Sequence, residues 1–122
     1  VVVDLLDNAL DFYTAQGRPE DAIAIQEQVL QALASGSASP DYIPTVDEEI
    51  AASHGLQLAP SLQAAEAGAG TNDELWGDLG DLYWAIGLQQ DAERCWQAAA
   101  KIDPGDGEWS SNLEALYDGT DP

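Results

Sequence analysis

Positive charge is scarce in this chain. Arg18, Arg94 and Lys101 face 23 acidic residues, giving a formal charge of −20. A polyanion is held by Lys and Arg that displace its counterions, so this balance excludes nucleic acid as a partner. An anionic membrane surface is disfavoured for the same reason. No apolar run approaches the ~18 residues that a membrane-spanning helix needs. A single cysteine, Cys95, leaves nothing for an internal disulfide, which suits a reducing, cytoplasmic setting. Methionine is absent, from which we expect the sequence to begin inside a longer protein or after processing. Residues 1–3 are valines followed at once by Asp4, without the basic flank of a signal peptide.

Catalytic chemistry is equally sparse. His54 is the only histidine and closes a short helical stretch before Gly55, where a helix dipole favours it. Cys95 falls between Ala92 and Trp96 on an inward stripe and reads as a small buried hydrophobe. Nothing in the spacing brings the two together, so the chain is read as non-enzymatic. Asp103, Asp106 and Glu108 cluster around Pro104, Gly105 and Gly107, but Pro104 and Gly105 break the ligand alternation of a calcium loop. A turn accounts for them, and we expect neither metal nor cofactor.

What the chain does have is helical periodicity. Leu75, Trp76, Leu79, Leu82, Tyr83 and Ile86 recur at steps of three and four, drawing one apolar stripe. Gly80 leaves a gap for close helix approach, and Gly87 ends the helix through the left-handed conformation. A second helix turns Ala92, Cys95, Trp96 and Ala99 inward and stops at Asp103-Pro104. This stretch resembles a tetratricopeptide repeat, whose pattern is W-x2-L-G-x2-Y, then A-x3-F, then P, over about 34 residues. Here it reads Trp76-x2-Leu79-Gly80-x2-Tyr83, then Ala92-x3-Trp96, then Pro104, with tryptophan in place of phenylalanine.

The spacing recurs. Tyr13, Gly17 and Ala22 repeat the offsets of Tyr83, Gly87 and Ala92, after an apolar stripe of Leu6, Ala9 and Leu10, and Pro19 stands where a helix begins. Gly55 lies between Gly17 and Gly87 at nearly equal distances and marks a degenerate middle unit. There Thr45 and Glu48 suggest a capping box, and Pro60 opens a partner helix through Leu62, Ala64 and Ala67. Asp47 and Pro60 depart from the pattern, which expects a core leucine and a small residue there. Thr71 and Glu74 suggest a second capping box. Residues 34–40 and 67–72 read as loops, and 118–122 as a frayed end. Trp109, Leu113, Leu116 and Tyr117 suit a terminal covering helix.

The resemblance implies an all-α, right-handed α-solenoid of about three helix pairs plus a C-terminal capping helix, in one domain over 1–122. The approximate units are 1–36, 40–68 and 72–105, with the cap at 107–117. It also implies a protein-protein interaction module, a scaffold or adaptor that binds a peptide or partner helix in a concave groove lined by first helices. The groove face then carries Asn8, Asp11, Glu49, Glu74, Asp78, Asp81, Trp84 and Asn112, with Asp11, Glu49 and Asp81 as an acidic ladder. Relatives that serve heat-shock chaperones clamp a terminal carboxylate with Lys, Arg and Asn. Acidic residues on these faces argue against that and for a basic or amphipathic partner, with Trp84 as apolar anchor. The alternative role is structural, with residues 1–3 or the Trp109 helix joining copies end to end as a homo-oligomer. The acidic residues are scattered over every unit, which fits adaptation to multimolar salt, where the screening length falls to about 3 Å, better than a local patch.

Overall fold

The computed structural model describes residues 3–36 and 41–119, and among them the chain is all-helical, without a strand. Seven α-helices follow in order: α1 (Val3–Ala15), α2 (Pro19–Ser35), α3 (Glu48–His54), α4 (Ala59–Ala69), α5 (Asp73–Ala85), α6 (Gln89–Ile102) and α7 (Gly107–Asp118). A 3-10 turn, Gly55–Leu58, leads from α3 into α4.

Two of the connections are the same turn. After α1, Gly17 takes φ 67° while its N–H donates to the Thr14 carbonyl and that of Arg18 to Tyr13. After α5, Gly87 takes φ 87°, with Gly87 bonded to Trp84 and Leu88 to Tyr83. Left-handed φ at both positions is why glycine stands there. Gly55 does something else. Its φ is −76°, an ordinary right-handed value, so the middle connection is not a third copy of this turn. Glycine is required there for space: a Cβ would collide with the Ile86 side chain.

The helix starts also differ from their expected caps. Asp47, not Thr45, caps α3 by accepting the Glu49 N–H, and Asn72, not Thr71, caps α5 by accepting that of Glu74. Both carry short side-chain oxygens at the residue just outside the helix, the position that reaches the free amides. Pro19 and Pro60 sit in the first turns of α2 and α4 as expected. The helices α2 and α4 run to Ser35 and Ala69, into stretches read as loops, and α7 runs to Asp118. Residues 1 and 2, 37–40 and 120–122, which carry parts of those expectations, lie outside the described residues.

Packing runs along the chain: α1 on α2, α2 on α3 and α4, α3 and α4 on α5, α5 on α6, and α6 on α7. One buried cluster extends from Leu10 through Leu30, Leu62 and Leu79 to Trp96 and Trp109. Glycines on helix faces make room for it. Gly80 admits the Trp96 indole, whose nearest atoms lie 2.5 Å from where a Cβ would stand, and Gly77 admits the ring of Trp109. Gly68 lets α4 approach the Leu33 backbone of α2. Trp76 is half-buried against the core and donates its indole N–H to the Gly70 carbonyl at 2.9 Å.

Candidate functional site: an acidic cavity beside Trp84

An irregular segment, residues 41–47, positions the site. Ile43, Pro44 and Val46 are buried in it. Gln26, fully buried on α2, holds its backbone with both ends of its amide: Nε2 donates to the Pro44 carbonyl at 2.9 Å and Oε1 accepts from the Val46 N–H at 2.8 Å. A buried amide costs little when both ends are paired this way. The Ile43 N–H donates to Asp78 on α5 at 2.8 Å, and the Tyr42 hydroxyl to Asp7 on α1 at 2.8 Å. That bond, together with Asp4 and Asp11 nearby, raises the Tyr42 hydroxyl pKa. The segment thus touches α1, α2 and α5.

Beside it opens a cavity of about 400 Å³ lined by Thr45, Val46 and Glu48, by Asp81, Trp84 and Ala85 of α5, by Trp96, and by Glu108 and Asn112 of α7. The ring of Trp84 leans on that of Trp96, with centroids 6.1 Å apart and planes at 36°. Trp96 donates its indole N–H to the Asp81 carboxylate at 3.1 Å and to the Gly77 carbonyl at 3.3 Å.

Carboxylates crowd this side of α5. Desolvation pushes Asp78 up to about 7, with Glu74, Asp81 and Glu108 adding to the rise and the Ile43 N–H opposing it. Asp81 is more open to solvent and moves up less, to about 6, through desolvation and the charges of Glu108 and Glu74, against the stabilising Trp96 bond. Glu74 is raised in the same way, by burial first and then by Glu108, Asp73 and Asp106.

Of the eight residues expected on the groove face, Asp81, Trp84 and Asn112 line the cavity. Glu74 and Asp78 stand close enough to act on Asp81 or to feel it, and Asp78 is occupied with the backbone of Ile43. Asn8, Asp11 and Glu49 do not line it, so the ladder Asp11–Glu49–Asp81 does not form within this cavity. From α3 the lining takes Glu48, an exposed residue at the start of the helix, in place of Glu49. Glu108 was missed as well, and only the docking of α7 places it here. The signal for the segment was in the sequence: Gln26 occupies an inward position between Ile23 and Val29, where an apolar residue would otherwise stand.

Two neighbouring groups of acids meet at the start of α5. Carboxylate oxygens of Asp73, Asp103 and Asp106 lie within 4.8 Å of one another, as do those of Glu74, Asp106 and Glu108. Several have local duties: Asp73 accepts the Trp109 indole N–H at 3.1 Å, Asp103 the Gly105 N–H at 3.2 Å, and Asp106 caps α7 through the Glu108 N–H at 3.0 Å. Elsewhere, Glu66 gathers the Tyr83 hydroxyl at 2.7 Å and the Arg94 guanidinium, which also pairs with Asp91 at 3.0 Å. Cys95 is fully buried, and desolvation pushes its thiol up to about 12. His54 lies in a separate hollow with Glu20, Ile23, Ala24, Glu27 and Gln57. No described helix is long and apolar enough to cross a membrane. Comparison with protein-family models, curated proteins and solved structures finds no match to this chain.

Proposed function

We propose that the chain is a non-catalytic protein-binding module of tetratricopeptide type, a scaffold or adaptor whose helix pairs stack as a right-handed solenoid. The observation that carries this reading is the cavity at Trp84, walled by α3, α5 and α7 and open beside an aromatic anchor. Its volume falls in the range of about 300–1,000 Å³ usual for binding pockets. The repeated turn at Gly17 and Gly87 and the neighbour-to-neighbour packing support the repeat architecture. The protonated, buried Cys95 thiol supports a module without nucleophilic chemistry, and a lone thiol of this kind suits a cytoplasmic protein.

The test replaces Asp81 and Glu108 with lysine together and leaves Asp78, which holds the Ile43 backbone, intact. Protein partners captured at native salt by the parent chain are expected to be lost from the variant while helicity by circular dichroism is kept. Capture retained by a folded variant would place the site elsewhere.

A second reading, end-to-end self-association, draws on exposed apolar side chains at both chain ends: Leu5 and Phe12 on α1, 66% and 56% exposed, and Tyr117 on α7, 60% exposed. Light scattering across a concentration series decides it, since a constant monomer mass removes this reading.

A further inference from the structure

The acids around the cavity have no cation of the chain's own to answer them. Arg18 pairs with Asp21 at 2.6 Å and lies 5.0 Å from the Tyr13 ring centroid, while Arg94 is taken by Glu66 and Asp91. Lys101, on α6, does not line the cavity. Glu48, Asp81 and Glu108, from three helices, nevertheless line one cavity with an indole. Trp84 is half-buried, and its indole N–H donates to no described acceptor. Asn112 adds an amide whose oxygen accepts hydrogen bonds. Negative charge, an aromatic ring and an amide acceptor around one opening suit an organic cation carrying N–H donors: the charge is attracted by the carboxylates and the ring, and the donors meet the oxygens.

We propose that this cavity takes the guanidinium of an arginine side chain from a protein partner, stacked at Trp84 and paired with Asp81, Glu48 and Glu108. Resting on the binding-module reading above, the assignment specifies its partner chemistry. Arginine fits better than lysine because its planar fork bonds carboxylates two at a time and stacks on aromatic rings. Asp81 feels Glu74 on its own helix and Glu108 from α7, acts on Asp78 one turn back, accepts the Trp96 N–H from α6, and shares the cavity with Glu48 from α3; apart from the Trp96 N–H these are all acids. An arriving cation offsets the charges of Glu108 and Glu74 and favours the ionised form of Asp81. Binding therefore strengthens as pH rises from 5 to 7.5, through the region where Asp81 loses its proton at about 6.

The probe is acetyl-Gly-Gly-Arg-Gly-Gly-amide, with its citrulline counterpart as an uncharged match in shape. The readout is the Trp84 indole N–H resonance, assigned through Trp84→Phe. Expected is a saturable shift with the arginine peptide, at least about tenfold weaker for citrulline, which corresponds to about 1.4 kcal/mol. The same loss is expected in the Glu48→Gln, Asp81→Asn, Glu108→Gln variant, which keeps an acceptor for the Trp96 N–H. Equal binding of the two peptides would overturn the cation assignment and leave the module reading standing. No shift with either peptide up to about 10 mM would overturn the arginine assignment, since that limit already allows affinities weaker than millimolar, while the module reading is judged by the capture experiment above. A matching shift from calcium chloride alone, or undiminished binding by the triple variant, would also overturn the proposal.

Discussion

Single side chains decide more here than their number suggests, and Asp78 is the clearest case. Its carboxyl ionises at about 7 in the folded chain and at about 4 when unfolded. Between those values the folded state retains a proton that the unfolded chain has lost, so stability falls as pH rises through this window and levels off above it. Asp78→Asn removes the charge while Oδ1 still accepts the Ile43 N–H. The variant is expected to melt with the parent near pH 4 and to exceed it at pH 8 by on the order of 1 kcal/mol, after allowing for solvent screening. Thermal melts at the two pH values check this; an equal offset at both would mean the carboxyl is not the cause. Asp78 also shows what the sequence could reveal at this scale. Its acidic character and helix face could be read from spacing, but its bond to a backbone amide of a distant irregular segment could not.

Among the elements, the two glycine turns and the middle connection make a contrast. Nothing lies within 4 Å of a Cβ built at Gly17 or Gly87, so alanine at either is opposed only by the left-handed backbone. Each substitution is expected to cost about 1–2 kcal/mol, and nearly the same amount at both sites, because the turns are alike. Gly55→Ala carries no such backbone penalty and fails instead through Ile86, so Ile86→Ala should recover part of its loss, whereas it should recover nothing for Gly87→Ala. Denaturant melts of the single and double variants measure both effects.

The order of the helices, the proline starts and the inward tryptophan of α6 were all legible, because periodicity and stop signals are local. The character of the Gly55 connection was not, since a glycine kept for close approach and a glycine kept for positive φ look identical in a sequence. The seat of Trp109 against Gly77 joins α7 to α5 and was hidden for the same reason. Of the cavity, Asp81, Trp84 and Asn112 could be anticipated from helix faces; Glu48 and Glu108 depended on a helix start and on a docking angle.

At the scale of the whole molecule, charge and connectivity set the behaviour. With 23 acidic residues against three basic ones, and both arginines engaged in ion pairs, carboxylates repel one another across the surface. Raising potassium chloride from 10 mM to 2 M shortens the screening length from about 30 Å to below about 3 Å. We propose that the fold is adapted to such salt, and expect helicity to rise over this series. Helicity that stays constant would remove the halophilic reading and leave the acidity to partner binding.

The grip of Gln26 on residues 44 and 46 has a mechanical consequence. In a plain stack of helix pairs each neighbour can peel away in turn. Here one tether, gripped by α2 and hydrogen-bonded to α1 and α5, shares any load between the first two helices and α5. Pulled from its two ends, the chain should yield in one rupture event. Gln26→Ala, which strands a carbonyl and an amide at a cost of roughly 1–3 kcal/mol each, should break that event into smaller steps.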